Sequence, residues 1–465
     1  MKITFLGACR QVTGSAFLVE TEGKRLLVDC GLYQERPYLE RNWHPFPIEP
    51  TSIEAIILTH VHLDHSGLLP KIVKEGFNGP IYMTPITADL LPIVLLDAAH
   101  LQEEDAAFKR KRHQREGRKG PYPEIPLYTE QEARRVFSMI KKVNYREKIK
   151  LGRNLNFILH DAGHILGSAM VEISIQQSGR EKNIIFTGDI GQRNKPLVKE
   201  PSIFERADFV LMEATYGDKN HEDPEDIPTM LTRIINETVM AGGNLVIPIF
   251  AIERAQEVLF YLSSLTREKK IPPLLCFLDS PMALEVTQVF EKHQESFDEE
   301  TLALYRSHQD PFHFPGLKMI RTINESKAIN KIRGSCIIMA GSGMCTGGRI
   351  KHHLVHNIAR PESTILFVGY QAKGTLGRQI LDGQSEVRIL GQFYPVRARI
   401  EQIQSFSAHA DRQSLLGWLA AFKEPPEKIF LIHGEEETLE NFAQAIVAQF
   451  PSVLVPHYQQ VVELD

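Results

Sequence analysis

The sequence has few cysteines, no long apolar run and no excess of positive charge. Its five cysteines among 465 residues are scattered without a CxxC pair, at Cys9, Cys30, Cys276, Cys336 and Cys345. This usage argues against a disulfide framework and indicates a reducing compartment. The apolar stretch near the N-terminus is too short for a signal peptide, and no run of about 18 apolar residues is present. We therefore expect a cytoplasmic protein without a membrane partner.

The balance of charges excludes a protein that attracts nucleic acid through its overall field. The net charge is −5 at pH 7, so any binding to nucleic acid has to depend on local basic patches or on bound metal. With 43% hydrophobic and 24% charged residues, the composition is that of a globular protein with two or three domains.

Two kinds of chain organisation alternate along the sequence. Up to about residue 215, short segments such as KITFLGA and RLLVDCG predict strands that end in polar residues. From about residue 225, an apolar strand, a glycine- or proline-containing loop and an amphipathic helix recur four times, which predicts a parallel sheet with covering helices. After Pro395 the strand-rich pattern returns. The sequence therefore predicts an α/β protein with one domain inserted into another.

Three histidines and an aspartate are crowded into the segment THVHLDHSG, directly after an apolar run. They are His60, His62, Asp64 and His65. Zinc takes about four N, O or S ligands, and imidazole with carboxylate suits it without thiolate. Three further candidates each follow an apolar run, namely His164, Asp189 and His433. A hydrogen-bonded loop residue is the alternative for any single histidine, but it does not explain the cluster, and we predict a metal site.

An ordered set of motifs runs through the chain: HVHLDH at 60–65, AGH at 162–164, TGD at 187–189 and HGE at 433–435. This set resembles the metallo-β-lactamase superfamily. MEATYGD at 212–218 and SFSAHAD at 405–411 resemble the added signatures of its β-CASP branch, the nucleic-acid-processing nucleases. Within that branch the chain is similar to the bacterial and archaeal ribonucleases related to the endonuclease subunit of the eukaryotic pre-mRNA 3′-end cleavage and polyadenylation factor.

The resemblance covers nearly the whole chain and implies a fold. It implies an α/β protein, an αββα metallo-β-lactamase sandwich with an inserted parallel-sheet β-CASP domain and an active site in the cleft between the two. The sandwich would comprise residues 1–215 and a return segment, residues 401–465, with the insert at residues 216–400. The long separation of Asp189 from His433 leaves room for such an insert.

The resemblance also implies the metal ligands. His60, His62 and His164 would bind one Zn²⁺, and Asp64, His65 and His433 a second, with Asp189 bridging both. Mn²⁺ is the alternative metal. Asp29, at the end of LLVDCG, would orient the metal loop rather than bind an ion. A turn residue at a strand end is the alternative reading of Asp29.

The chemistry implied by the resemblance is hydrolysis of a phosphodiester by water. Two zinc ions activate the water and bind the phosphate oxygens. His409 would protonate the leaving 3′-oxygen and Glu213 would orient His409, while Asp64 belongs to the catalytic residues as a ligand. The products would carry 5′-phosphate and 3′-hydroxyl ends. A histidine at the HGE position accompanies RNA substrates in the branch, so His433 favours RNA.

The implied partner is single-stranded RNA, cut internally, with 5′-to-3′ exonuclease activity as an extension. A homodimer and protein partners in an RNA-processing or decay complex are compatible with the resemblance. Two rival functions stay open: a small-molecule thioester or ester hydrolase of the same superfamily, and a catalytically silent RNA-binding scaffold. The inserted domain and His409 count against the first, and the filled ligand positions count against the second.

A glycine-rich loop, AGSGMCTGGRI at 340–350, lies between a predicted strand and helix. Its amides could bind an RNA phosphate, and tight packing is the alternative. The predicted phosphate-binding residues are Gly341, Ser342, Gly343, Arg349, Lys373 and Ser407. Solvated surface charges are the alternative for Arg349 and Lys373. GYQAKGT is not a Walker loop, because Thr375 stands where the lysine would be.

Two further clusters stand out. The run FKRKRHQREGRKG at 108–120 holds seven Lys or Arg residues; a flexible, solvated loop is the favoured interpretation and an RNA-gripping arm is the alternative. His352, His353 and His356 lie on a predicted helix. They are interpreted as surface or RNA-facing residues rather than metal ligands.

Overall fold

The structure, a computed structural model, describes all residues except Glu22, Ser178, residues 222–225, Lys373 and Asp465. The described chain divides into two compact units. Unit 1 comprises Met1–Arg193, Glu200–Asn220 and His409–Asp465, and unit 2 comprises Asn194–Lys199 and His221–Ala408. The second unit is thus inserted into the first.

Two seven-stranded sheets form unit 1. The first has the order β22-β1-β2-β3-β4-β5-β6. Its strands are β1 Lys2–Phe5, β2 Phe17–Thr21, β3 Lys24–Val28, β4 Ala55–Ile57, β5 Ile81–Met83, β6 Ile140–Lys142 and β22 Val461–Glu463. The second has the order β21-β20-β11-β10-β9-β8-β7. Its strands are β7 Ile149–Lys150, β8 Leu155–Asp161, β9 Ala169–Gln177, β10 Arg180–Phe186, β11 Phe209–Glu213, β20 Lys428–Ile432 and β21 Val453–Leu454.

Alternation along β11 shows how the layers of unit 1 form. Phe209 and Leu211 point into the core shared by the two sheets, whereas Val210 and Met212 point into a second core on the opposite face. Residues next to each other in a strand face opposite sides of the sheet. The second core is covered by α12, Arg412–Leu419, and α13, Glu436–Ile446. Each such buried side chain contributes about 1.5–3 kcal/mol to folding.

The first sheet is accompanied by four helices: α1 Leu63–Ser66, α2 Leu69–Lys74, α3 Pro85–Glu116 and α4 Glu130–Val136. Helix α3 is capped at its N-terminus by Thr84, whose hydroxyl accepts a hydrogen bond from the Thr87 amide. It is capped at its C-terminus by Gly117, which takes the left-handed conformation (φ 62°) that favours glycine.

The basic run at 108–120 is helical up to Glu116, so the predicted flexible loop is wrong. Unbranched Lys, Arg and Gln side chains favour helix. Ion pairs one turn apart, Lys109 with Asp105 and Arg112 with Glu116, add to this preference. The run therefore extends α3 as a helix.

A six-stranded parallel sheet forms the centre of unit 2, in the order β14-β13-β15-β12-β16-β19. Its strands are β12 Leu245–Pro248, β13 Leu275–Asp279, β14 Leu317–Met319, β15 Cys336–Ala340, β16 Thr364–Phe367 and β19 Arg399–Gln402, and a hairpin is formed by β17 Glu386–Ile389 and β18 Gln392–Pro395. The helices are α5 Ile227–Met240, α6 Arg254–Arg267, α7 Pro281–Lys292, α8 Glu299–Arg306, α9 Ile323–Ile329, α10 Ile350–Asn357 and α11 Leu376–Leu381.

These features confirm the predicted fold class, a sandwich of two sheets with an inserted parallel-sheet domain. Strand β19 pairs in parallel with β16, so the sheet of unit 2 continues past residue 400, where the sequence places the return to the sandwich, and unit 2 ends at Ala408. All five cysteines are free and buried. In the described part of the chain, no helix combines the length and apolar character needed to cross a membrane.

Candidate metal centre

The loop from His60 to His65 is fixed by the end of β3. The amide of Cys30 donates to the His65 carbonyl (2.7 Å), and the amide of Leu32 donates to the Leu63 carbonyl (2.8 Å). A Cβ atom at Gly31 would lie 1.7 Å from the Asp64 carbonyl oxygen. Only glycine permits this close approach, which holds α1 and its two ligand candidates against β3.

The carboxylate of Asp189 faces two groups of side chains. Its Oδ2 lies 3.4 Å from Nε2 of both His60 and His164. Its Oδ1 lies 3.3 Å from Nε2 of His65 and 3.6 Å from Nε2 of His433. One oxygen of a buried carboxylate is therefore turned toward each group, as a bridging ligand requires.

The structure brings all seven predicted ligands together. The seven fall into two groups whose potential ligand atoms lie within 4.8 Å of one another: His60, His62, His164 and Asp189, and Asp64, His65 and His433. Asp189, His409 and His433 form a third such group, and Glu291, Asp310 and His313 a fourth in unit 2. His433 Nε2 lies 3.5 Å from Asp64 Oδ2. The side chains come from the ends of β4, β8, β10 and β20, so both sheets of unit 1 contribute.

The spacing of the nitrogen atoms fits a divalent metal. Nδ1 of His62 lies 3.1 Å from Nε2 of His60 and 3.3 Å from Nε2 of His164. Ligand atoms around a tetrahedral zinc, with bonds of about 2.0–2.1 Å, lie about 3.3–3.4 Å apart. Asp189 Oδ1 is buried and accepts no hydrogen bond within the described part of the chain. These donors, imidazole and carboxylate, therefore suit a metal such as zinc.

The electrostatics keep His60, His62 and Asp189 in the forms that bind metal, whereas at His65 and His433 burial is outweighed by the charge of Asp189, which raises the pKa of both. Burial lowers the pKa of His60 to about 3 and that of His62 to about 4, so both rings are neutral and offer a lone pair near pH 7. Burial acts to raise the pKa of the Asp189 carboxyl, but the surrounding imidazoles, His433 first, hold that pKa well below its usual range. The carboxylate is therefore ionised.

Asp29 lies behind the ligands rather than among them. Its Oδ2 accepts hydrogen bonds from Nδ1 of His65 (2.8 Å) and from the hydroxyl of Thr59 (2.9 Å). Its Oδ1 accepts one from the Thr59 amide (2.8 Å). Thr59 Oγ1 also lies 3.0 Å from Nδ1 of His60. Held at Nδ1, both imidazoles point Nε2 at Asp189, which is the geometry that the orienting role predicted for Asp29 requires.

Thr215 does for His433 what Thr59 does for His60. Its hydroxyl donates to the His433 carbonyl (2.9 Å) and lies 3.0 Å from His433 Nδ1, whose N–H it can accept. Neither threonine is among the site residues predicted from the sequence. The available signal was their position, since one directly precedes HVHLDH and the other stands within MEATYGD.

His409 and Glu213 form a pair beside this cluster. Nδ1 of His409 lies 3.1 Å from Oε1 of Glu213. Glu213 is fully buried, and its carboxylate also accepts hydrogen bonds from the amides of Ile190 (2.7 Å) and Thr215 (3.2 Å). Burial acts to lower the pKa of His409, but the charges of Glu213 and Asp189 outweigh it and raise that pKa to about 9. His409 is therefore protonated near neutral pH, with 22% of its side chain exposed.

The glycine-rich loop lies in unit 2, between β15 and α10. The hydroxyl of Ser342 accepts hydrogen bonds from the amides of Thr346 (3.1 Å) and Gly347 (3.2 Å), which closes the loop on itself. A Cβ atom at Gly343 would lie 2.4 Å from the Phe250 ring. Tight packing, the alternative raised for this loop, thus explains Gly343, and phosphate binding by Gly341, Ser342 and Gly343 stays a prediction.

The remaining predicted phosphate contacts have varied positions. Arg349 Nη1 lies 2.6 Å from Asp279 Oδ1, and Arg349 Nη2 donates to the Arg321 carbonyl (2.9 Å). Ser407 is partly buried on the segment that leads to His409, and its amide donates to the Gln404 carbonyl (3.1 Å). Lys373 lies outside the described residues. Their contacts with RNA stay predictions.

The surface or RNA-facing position expected for the histidines of α10 is wrong for His353. This residue is fully buried, and its Nε2 lies 2.7 Å from Asp279 Oδ2 at the end of β13. The spacing of the three histidines along the helix does not show which of them is buried, and in the structure only His353 is turned toward the sheet. His352 and His356 are exposed.

Three family models match the chain. The metallo-beta-lactamase superfamily matches residues 9–216, a Beta-Casp domain matches residues 255–380, and a Zn-dependent metallo-hydrolase RNA specificity domain matches residues 394–456. The order of the matches follows the two-unit architecture. The match to residues 394–456 spans both His409 and His433.

Relatives match over almost the whole chain. Ribonuclease TTHA0252 of Thermus thermophilus is 38% identical over 439 residues, 94% of each protein. Transcription termination factor FttA of Methanosarcina mazei is 32% identical over 96% of this chain and 69% of that protein. The crystal structure of a protein of unknown function from Enterococcus faecalis V583 has a TM-score of 0.59 at 13% identity, over all of this chain and 99% of the other, which supports the fold alone. The resemblance drawn from the motifs is confirmed, and the chain belongs to the metallo-β-lactamase superfamily, in the branch that carries a Beta-Casp domain and an RNA specificity domain.

Proposed function

We propose that this protein is a zinc-dependent ribonuclease that hydrolyses phosphodiester bonds of single-stranded RNA and leaves 5′-phosphate and 3′-hydroxyl ends. The observation that carries the proposal is a protonatable His409, held by Glu213, beside a cluster in which Asp189 turns one oxygen to each of two ligand groups. Internal cleavage is the main activity proposed, and 5′-to-3′ exonuclease action is its extension.

Two metal ions per chain are proposed, held by the two groups that share Asp189. His60, His62 and His164 would hold one ion, and Asp64, His65 and His433 the other. When bound, the ions supply Lewis acidity toward the phosphodiester and the attacking water. Zinc suits the donors and is named in the description of one matching family, and Mn²⁺ is the alternative because carboxylate ligands suit it as well.

His409 is proposed as the general acid. As an imidazolium it donates its Nδ1 proton to Glu213 in a hydrogen bond and carries a second proton at Nε2 for the leaving 3′-oxygen. Glu213 keeps its position because two backbone amides bind the same carboxylate. After the transfer, His409 is neutral and keeps the Nδ1 proton.

RNA is the proposed substrate class for three reasons. The RNA specificity domain matches residues 394–456, and the relative with 38% identity is called a ribonuclease. His433 occupies the HGE position that, by the resemblance, accompanies RNA substrates.

A cytoplasmic location is proposed from the five free, buried cysteines. A homodimer and partners in RNA processing or decay rest on the resemblance alone.

The first experiment is cleavage of an internally labelled, unstructured RNA beside DNA of the same sequence. Wild type, Asp189→Ala and the exposed-site control Asp382→Ala are compared, with metal content measured and a chelator arm. We expect chelator-sensitive internal cuts in RNA alone, retained by Asp382→Ala and absent in Asp189→Ala. A fully metallated protein that cuts neither polymer contradicts the proposal and directs the search to ester and thioester substrates.

A further inference from the structure

The far end of α3 and the segment that folds back on it form a surface rich in cations, residues 105–124, here called the basic finger. Ala106 and His113 are its buried helical residues. His113 Nδ1 lies 2.6 Å from Glu124 Oε1, and Arg110 Nη2 donates to the Glu124 carbonyl (3.1 Å). The returning segment thus packs along one face of the helix and leaves the opposite face to solvent.

The charge of the basic finger opposes that of the whole chain. It holds seven Lys or Arg residues and three Asp or Glu residues, a net charge of +4, in a protein of net charge −5. Lys109, Arg112 and Arg118 form ion pairs within it. Lys111, Arg115 and Lys119 have no ion-pair or hydrogen-bond partner among the residues that the structure describes, so their charges are uncompensated.

The outward face also carries an aromatic ring. Phe108 is 62% exposed, and Phe108, Lys111 and Arg115 lie at positions i, i+3 and i+7 of one helix, opposite Ala106 and His113. An exposed ring beside unpaired cations is the combination that binds single-stranded nucleic acid, since bases stack on the ring and phosphates meet the cations. An acidic protein partner would explain the cations but not the exposed aromatic ring, so nucleic acid is the favoured partner.

The base of α3 lies at the metal centre. The hydroxyls of Thr84 and Thr87 donate to the carbonyl of Gly167 (2.7 and 2.9 Å), in the loop that carries His164. A helix rises about 1.5 Å per residue, so Lys111 and Arg115 lie roughly 40 Å along α3 from that loop. At about 3.4 Å per stacked nucleotide, this length corresponds to roughly twelve nucleotides.

We propose that the basic finger is a second RNA-binding site, which holds the backbone of the substrate strand about twelve nucleotides away from the bond cut at the metal centre. This inference rests on the proposed ribonuclease function and adds a length dependence to it. Strands long enough to reach both sites bind more tightly than short ones, because the finger supplies the local positive field that the chain as a whole lacks.

The test compares two variants that lower the net charge equally. The finger variant carries Lys111→Gln, Arg115→Gln and Lys119→Gln. The control carries Lys148→Gln, Lys150→Gln and Arg153→Gln, which remove three exposed cations elsewhere in unit 1. Binding is measured on metallated protein that also carries His409→Ala, so that RNA is not consumed, with unstructured RNAs of about 6 and about 30 nucleotides over a range of salt.

We expect the finger variant to bind the long RNA about tenfold more weakly at low salt and to lower the salt slope of its log Kd by about 2, since each phosphate that is no longer neutralised removes about 0.7 from the slope. Its affinity for the short RNA and the behaviour of the control stay as in the parent. The proposal is overturned if the finger variant binds the long RNA as tightly as the parent, or if the control loses as much affinity. The basic finger would then be a candidate surface for binding a protein partner. Failure of the proposed ribonuclease function would look different. In that case the wild-type protein would not cut even the short RNA, and this outcome is independent of the finger substitutions.

Discussion

At the residue scale, three imidazoles of the candidate metal centre are held at the nitrogen that faces away from Asp189. Thr59 lies against His60, Asp29 against His65 and Thr215 against His433. Such partners fix the ring orientation and the tautomer of a metal-binding histidine, and their loss costs about 10–100-fold in metal affinity or activity. The positions behind the ligands should therefore be nearly as sensitive to substitution as the ligands.

Thr215→Val tests this expectation. Valine keeps the volume but can no longer accept the Nδ1 proton of His433, so we expect metal affinity or turnover to fall about 10–100-fold. Metal content is measured at limiting metal concentration, together with RNA cleavage. Thr215→Ser should restore most of the loss. The matched control is Thr232→Val, whose hydroxyl donates to a helix carbonyl in α5; wild-type values for Thr215→Val would show that the contact is incidental.

Glu213→Gln tests the acid at position 409. Removing the carboxylate charge removes the largest influence that raises the pKa of His409, so this pKa falls from about 9. A general acid must be protonated, and activity that depends on it is lost as pH rises through its pKa. The alkaline limb of the pH–rate profile should therefore move to lower pH, whereas His409→Ala should lower turnover by about 10² and abolish the limb with metal content unchanged. An alkaline limb at the same pH in both variants contradicts the role of His409.

Some residues of the candidate site can be predicted from their side-chain chemistry, and others cannot. His60, His62, Asp64 and His65 are predictable because few soluble segments concentrate so many metal-binding side chains. Thr59 and Thr215 are not, because a threonine hydroxyl becomes an orienting group only when the fold sets it against a particular ring nitrogen. The position of His353 shows the same limit, since its burial depends on which face of α10 meets the sheet.

At the element scale, the short stretch 194–199 joins unit 2 although the chain returns to unit 1 directly afterwards. Lys195 is buried there, with Nζ 2.6 Å from Glu257 Oε1 and donating to the Ser405 carbonyl (2.7 Å). Arg254 also pairs with Glu257. Lys195 thus fixes a backbone position four residues before His409 in the sequence.

Lys195→Met should destabilise the protein and disturb catalysis. Removing one member of a buried ion pair leaves charge uncompensated, and we expect a loss of about 3 kcal/mol in the free energy of unfolding. Turnover should fall through displacement of the segment that leads to His409, so the same substitution should have no further effect on turnover in a His409→Ala background. The control is Lys199→Met, exposed on the same stretch. If the losses of turnover from Lys195→Met and His409→Ala multiply in the double variant, Lys195 does not act through His409 and its role is purely structural.

Some of these elements are predictable and others are not. Strand endings such as that of β4 are visible because an apolar run stops at polar ligands. The basic end of α3 is not, since Lys, Arg and Gln suit both a helix and a solvated loop. The helix is favoured by two buried residues, Ala106 and His113, and by the contact of His113 with Glu124, which lies eleven residues further along the chain. The stretch 194–199 carries no motif that would predict its place in unit 2.

At the scale of the whole molecule, the predicted ligands come from both sheets of unit 1. Those at 60–65 follow β4 of the first sheet, and those at 164, 189 and 433 follow strands of the second. A metal that binds only the folded state stabilises it by mass action, by about 4 kcal/mol at a free concentration 1,000 times its Kd. We therefore expect metal binding and the folding of unit 1 to be coupled.

Removal of metal should lower the melting temperature of unit 1. We expect calorimetry of the chelated protein to show a transition several degrees lower, reversed by adding back Zn²⁺, with Asp189→Ala insensitive to both treatments. The transition of unit 2 supplies an internal control, because the predicted ligands all lie outside it. An unchanged melting profile after metal loss has been verified would contradict the coupling.

The order in which the chain is synthesised gives the insertion another meaning. β20, which lies between β21 and β11 in the second sheet, and β22, which pairs with β1, follow the whole of unit 2 in the sequence. His409 and His433 lie in the same late segment. On the ribosome, domains form as their residues emerge. Unit 2 can therefore fold while unit 1 still lacks β20, β22, the proposed general acid His409 and the predicted ligand His433. The activity proposed for this protein can therefore arise only after His433 has been synthesised, when the whole of unit 2 has already been made.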